Sequence, residues 1–301
     1  MIKIDISKID SLKYYKYIET YINQKNTKYS LEDINCDLLT IFDKDLEQII
    51  TSSSYQIREL IKIAPADFTK EITQLKDLYE VFRNKWAVEF MEDLGIKVCP
   101  FCNREHIFKF EDKINEEPRI IASLDHYYDK DTYPFLSVSI FNLIPCCHIC
   151  NSKFKHTKNF YDKKHLHPYE DSFNEKAKFS QFFNNVNEEN KKFSLLSKER
   201  ISLSLKPIDC KDKVTQNTID TFRLETLYQE HKDIVLELIE KREIYPDSYI
   251  DDLFHQYEGT LFKNREDVLR HITGGYIEDK DINKRPLSKL IKDISEELDL
   301  I

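Results

Sequence analysis

The sequence predicts an α+β protein, mostly helical, in which one short stretch of strands and loops carries the residues capable of chemistry. Three observations predict it. Apolar residues recur by threes and fours before Gly95 and again after Thr218, the period of an amphipathic helix. Two short runs rich in β-type residues, 106–111 and 118–124, lie between those helical regions. Two Cys-x-x-Cys pairs, Cys99 with Cys102 and Cys147 with Cys150, bracket both runs. The chain therefore reads as a helical N-terminal region (1–95), a core (96–175) and a mixed, then helical, C-terminal region (176–301).

Each element has its own signal. Leu12, Tyr15, Ile18 and Ile22 make the first helical face. Ser30 and Asp33 resemble a capping box, and Leu31, Ile34, Leu38, Ile41, Phe42 and Ile49 follow along one face. The strongest helix is expected to open at Pro65, a good first-turn residue, and to stop at Gly95. Its stripe of Phe68, Ile72, Leu75, Tyr79, Phe82, Trp86 and Phe90 reads as a packed core face. The runs 106–111 and 118–124 predict two strands around a charged turn, Asp112 to Glu117. A polar loop follows Asp125 and His126, then the apolar run 135–141, then a short helix from His148 carrying Asn151 and Lys155. Strands are expected again at 193–196 and 201–205. The run from Ile219 through Phe222, Leu224, Leu227, Tyr228, Ile234 and Leu238 predicts helix. Two more helical pieces are expected around Tyr249–Tyr257 and Leu287–Leu300.

Composition excludes several classes. With 4 glycines and 9 prolines, long flexible linkers are not expected. No run of about 18 apolar residues spans a bilayer. The first ten residues alternate charge with isoleucine and lack the apolar core of a signal peptide, so the expected location is the cytosol. Seven cysteines in a cytosolic chain argue against a disulfide framework. Cys36 and Cys210 read as packing residues, and Cys146, beside Cys147, is left open.

The paired cysteines carry the strongest signal. Zinc prefers four thiolate or imidazole ligands in a tetrahedron, and a Cys-x-x-Cys turn presents two thiolates on one knuckle. Two such knuckles predict a structural zinc that pins the ends of an otherwise loop-rich segment. Between them Asp125 and His126 close a strand. An imidazole there can act as a general base on water, its intrinsic pKa lying near neutrality. Asp125 offers a hard oxygen to a divalent cation and Asn151 a second, neutral one, a donor set suited to Mg2+. Asn142 is placed to orient the His126 ring or its loop by hydrogen bonding. Alone, an Asp-His dipeptide usually marks a surface turn; between two knuckles it is far less easily accidental.

L-D-H-Y (Leu124–Tyr127), then N-L-I-P-x-C-x-x-C-N-x-K (Asn142–Lys153), with an upstream C-P-x-C (Cys99–Cys102), resemble an HNH endonuclease of the ββα-metal type with structural zinc. The resemblance covers roughly residues 97–170. It implies His126 as general base, Asn142 as its orienting residue, and Asp125 and Asn151 as ligands of a catalytic Mg2+ or Mn2+. It also implies single-metal hydrolysis of a phosphodiester, with Lys153, Lys155 and Lys158 on flanking phosphates. This chain has Asn151 where many members carry histidine, which leaves His148 and His156 open as alternative or assisting ligands. His167 is balanced between a place near the site and packing. Weaker echoes, Leu166–Glu170, Phe222–Tyr228 and Asn283–Leu290, are similar to the HNH subunit of Septu-type antiphage systems. That likeness implies an ABC-like ATPase partner and a DNA substrate in bacterial defence. The N-terminal helical region has no counterpart there.

Charge first argues against nucleic acid, since the net charge is −9 with a pI of 5.6. Its distribution softens the objection, because residues 142–169 hold five lysines against one aspartate. Two alternatives stay in view: the same chemistry on structured, tRNA-like RNA, and a zinc-stapled module that binds nucleic acid or protein and cuts nothing.

Overall fold

A computed structural model describes residues 2–24, 28–65, 73–112, 117–184 and 197–301. By contacts the chain forms two compact units. One comprises Lys3–Pro100 and Ile107–Asp171; the other comprises Met1–Ile2, Phe101–His106 and Ser172–Ile301. Both helix and antiparallel strand are present, so the α+β expectation holds.

In the first unit, among the described residues, six α-helices precede the strands: α1 (Ser11–Ile22), α2 (Leu31–Phe42), α3 (Leu46–Thr51), α4 (Ser54–Ile63), α5 (Thr73–Lys85) and α6 (Ala87–Leu94). Their starts are set by side-chain caps. Ser30 accepts from the Asp33 amide, and Asp45 and Ser53 make reciprocal capping boxes with Gln48 and Gln56. The face running from Leu31 to Ile49 is two helices, because Asp43 takes a left-handed conformation and Asp45 starts a new cap. Pro65 lies just before residues outside the description, which include Phe68 and Ile72. The remainder of the expected long helix is broken at Trp86, whose backbone leaves helical geometry (φ −124°, ψ −5°). The Trp86 ring stacks on Tyr17 at 5.7 Å. Leu75, Phe82 and Phe90 are fully buried, so the aromatic stripe is the core face expected of it. Gly95, left-handed at φ 62°, ends α6 by donating its amide to the Met91 and Glu92 carbonyls.

Four strands follow as two antiparallel pairs. The run at 118–124 does not form one strand. β2 (Glu117–Ile120) pairs with β1 (Lys109–Asp112), whereas β3 (Ser123–His126) pairs with β4 (Leu143–Cys146). Of the turn joining β1 to β2, residues 113–116 lie outside the description. In β3–β4, Asp125 stands opposite Ile144 and His126 opposite Leu143. The apolar run 135–141 is folded into two short 3-10 turns, Pro134–Leu136 and Ile140–Asn142. A short π-helix, Ile149–Lys155, follows β4 and carries Asn151 and Lys155 as expected.

The second unit holds a hairpin of β5 (Ala177–Phe183) and β6 (Ile201–Pro207), with α7 (Lys213–Thr221), α8 (Leu224–Tyr228), α9 (Lys232–Ile244), α10 (Asp247–Tyr257), α11 (Arg265–Thr273) and α12 (Ser288–Glu297). The expected strand at 193–196 lies outside the described residues. Sequence reading missed α11, which Asn264 caps and Gly274 ends. On α12 a buried Lys289–Asp293 ion pair at 2.6 Å faces the hairpin, Asp293 accepting from the Phe179 amide. Cys36 and Cys210 are exposed, a correction to their reading as packing residues. Cys36 falls on the solvent side of α2, whose inner face is Ile34, Leu38 and Phe42.

Candidate metal centre and Asp-His site

The two knuckles converge. Cys99, Cys102, Cys147 and Cys150 are buried, and their ligand atoms all lie within 4.8 Å of one another. An ideal tetrahedron with Zn–S bonds near 2.3 Å would set its sulfurs about 3.8 Å apart. The four residues therefore form a cluster that can hold a metal ion such as zinc. Backbone amides donate to two of the sulfurs: Arg104 N to Cys102 Sγ and Cys150 N to Cys147 Sγ, both at 3.4 Å. Cys146 is buried on β4 and stands outside this cluster.

The loop after the first knuckle is held by residues far along the chain. Phe101 stacks on Phe222 at 4.5 Å, and Tyr228 donates its hydroxyl to the Cys102 carbonyl at 2.7 Å. The backbone of Asn103 accepts from the Leu287 amide at 2.6 Å, and its side chain accepts from the Lys289 amide. Thus the runs Phe222–Tyr228 and Asn283–Leu290 brace the first knuckle. Leu166–Glu170 braces the strands: Tyr169 donates to the Leu143 carbonyl at 2.7 Å and His167 lies over Tyr127 at 4.0 Å. His167 accepts from the Tyr169 amide through Nδ1, leaving Nε2 buried without a partner. Burial pushes its pKa down to about 3, so it is a neutral packing residue.

Asp125 and His126 end β3 and are almost fully buried, 3% and 7% exposed. Nε2 of His126 lies 2.9 Å from the carbonyl oxygen of Ser137, which can only accept. The ring is thereby fixed with its proton on Nε2 and its lone pair on Nδ1. Tyr79 packs edge-on against it at 4.3 Å and donates its hydroxyl to the Leu124 carbonyl. Burial pushes the His126 pKa down to about 3, partly opposed by the Ser137 carbonyl, so the ring is neutral near pH 7. Burial likewise raises the Asp125 pKa, and the Lys155 ammonium pulls it back.

The remaining expected residues divide. Asn142 is buried and spent on backbone: it accepts from the Tyr128 amide and donates to the carbonyls of Tyr128 and Leu136. It orders the loop after His126 and does not bond the ring. Lys155 is a correction. Only 1% exposed, it bonds Asp125 Oδ1 at 3.0 Å and the His126 carbonyl, and it faces the site, not solvent. Lys155 is the last residue of the π-helix that carries Asn151, and its bonds to Asp125 and His126 set it beside β3. Lys153 and Lys158 are exposed. His148 and His156 are exposed and bonded locally to Ser152 and Thr157, not to Asp125. Asn151 is half-buried. Sequence reading missed Ser137 and Tyr79, since a backbone acceptor and a packing tyrosine leave no mark in spacing.

Asp125 Oδ2 is buried and has no hydrogen-bond partner among the described residues. A buried carboxylate oxygen left bare is costly unless something outside the chain meets it, and a divalent cation would do so. Comparison with protein-family models, curated proteins and solved structures finds no match. Among the described residues no helix is long and apolar enough to cross a membrane.

Proposed function

We propose that this chain is a metal-dependent HNH endonuclease that hydrolyses phosphodiester bonds of DNA, acting as the effector nuclease of an antiphage complex with an ABC-like ATPase. One observation carries the nuclease reading: a buried carboxylate oxygen without a partner on Asp125, beside a histidine held as a neutral base. The order of two antiparallel strands and a short helix, stapled by four cysteines, supports the ββα-metal assignment. The defence role and the ATPase rest on the sequence resemblance.

In this mechanism Nδ1 of His126 takes the proton of the attacking water. The Ser137 carbonyl, already on Nε2–H, stabilises the imidazolium that forms. Asp125, through its unpartnered Oδ2, and Asn151 would hold the cation. A bound Mg2+ or Mn2+ would supply charge for the phosphorane and the leaving 3′ oxygen. Asn142 keeps the loop in register, and Lys153 and Lys158 meet flanking phosphates.

A second reading has its own support. Asp125 and His126 are nearly closed to solvent and Asp125 is paired with Lys155, as in a zinc-stapled binding module that cuts nothing. Plasmid DNA and structured RNA, each incubated with Mg2+ or Mn2+ and with or without the ATPase, separate these readings. Cleavage of DNA lost in His126→Ala, with zinc content unchanged, supports the nuclease. Cleavage of RNA alone moves the substrate to RNA. No cleavage under any condition overturns the enzyme reading in favour of the module.

A further inference from the structure

Lys155 is the least expected group in the site. A lysine is almost never fully buried unless paired, and this one is buried at the end of a one-and-a-half-turn helix. Its ammonium has three donors. One meets Asp125 Oδ1 at 3.0 Å, a second meets the His126 carbonyl, and the remaining side of the ammonium lies over the Phe160 ring at 5.1 Å. Two of its three donors are engaged inside the site, and its burial keeps the ammonium away from a phosphate at the surface. The helix that carries Lys155 opens immediately around Cys150, and the Asn151 amide bonds the Cys147 carbonyl, so its start is tied to the second knuckle.

From this geometry we infer that Lys155 is a positioning residue, a strut from the cysteine-anchored helix to the Asp125–His126 dipeptide. It holds one carboxylate oxygen so that the other, Oδ2, stays turned to the cation position. It also holds the backbone carbonyl of His126, which fixes where that strand ends and the imidazole begins. The inference rests on the nuclease reading for its consequence in cleavage; the strut itself does not need it.

The test uses the full, zinc-loaded chain and Lys155→Met, which keeps most of the stem and removes the charge. Amide exchange of residues 123–127 should quicken at least tenfold in K155M, with zinc content and the exchange of α12 unchanged. Where the wild-type protein cleaves DNA, kcat should fall at least a hundredfold with KM within threefold. A raised KM with kcat intact would make Lys155 a phosphate contact and overturn the strut, as would unchanged exchange at 123–127. If K155M does not fold, 15N-lysine spectra of the wild-type protein decide instead. Lys155 and Lys289, the two buried lysines among the described residues, should give slowly exchanging ammonium signals, and Asp125→Asn should move that of Lys155 and leave that of Lys289. A Lys155 ammonium that exchanges like a surface lysine overturns the inference. Should wild type cut no polymer, the nuclease reading fails while exchange and ammonium spectra still judge the strut.

Discussion

The hydroxyl of Tyr228 donates to the carbonyl oxygen of Cys102 at 2.7 Å, across 126 residues of sequence, and so ties the C-terminal helices to the first cysteine knuckle. Both groups are buried, so the substitution deletes one buried hydrogen bond. Tyr228→Phe should cost about 0.5–1.5 kcal/mol of stability in urea titrations. It should also speed metal loss to a chromogenic chelator, while Tyr249→Phe, on an exposed ring, should do neither.

Purified protein should contain one zinc per chain, read by elemental analysis. Structural zinc contributes roughly 10–16 kcal/mol of binding energy in small zinc peptides, comparable with the whole stability of a typical domain. Stripping the metal, or Cys150→Ser, should therefore abolish the cooperative thermal transition. Cys36→Ser, on the solvent side of α2, should leave zinc content and melting temperature as they are.

The Asp125–Lys155 pair is buried on both sides, 3% and 2% side-chain exposure. Asp125→Ala leaves an uncompensated ammonium and should destabilise by about 3–5 kcal/mol. The double variant Asp125→Ala/Lys155→Met should recover more than half of that loss, which a double-mutant cycle in urea would measure.

Acid sensitivity follows from buried neutral histidines, His126 and His167 among them. His126 and His167 have folded pKa values of about 3. The unfolded value is near 6.5, so below it the unfolded chain binds protons that the fold excludes. Their effect is absent above about pH 6.5 and grows as pH falls toward 3, by about 1.4 kcal/mol per pH unit for each ring. Each should cost about 2 kcal/mol by pH 5. His167→Leu should reduce the slope of unfolding free energy against pH by one proton between pH 6 and 5; an unchanged slope would show that His167 is not excluded from protonation.

Lys153 and Lys158 are exposed on the basic strip, unlike Lys155. Changing either to alanine should weaken DNA binding equally for all sequences and lower the salt dependence of log K by about one contact.

Much of the cysteine centre is legible in the sequence, because a knuckle is a local turn whose spacing alone presents two sulfurs. Helix faces are legible for the same reason: Ile34, Leu38 and Phe42 recur with the helix period and are all buried. Helix breaks are less so. Trp86 has no helix-breaking chemistry, and its backbone departs from helix where its ring packs on Tyr17.

By itself the sequence determined that this chain has amphipathic helices around a four-cysteine segment, with an aspartate and a histidine side by side between the knuckles. Tertiary structure alone decided what those residues do with their atoms. It split the run at 118–124 into strands with different partners, aimed the His126 Nε2–H at the Ser137 carbonyl, and turned Lys155 inward onto Asp125. The physical reason is range. Periodicity and turn spacing are written in neighbouring residues, whereas hydrogen-bond partners of a buried group depend on which distant backbone folds against it.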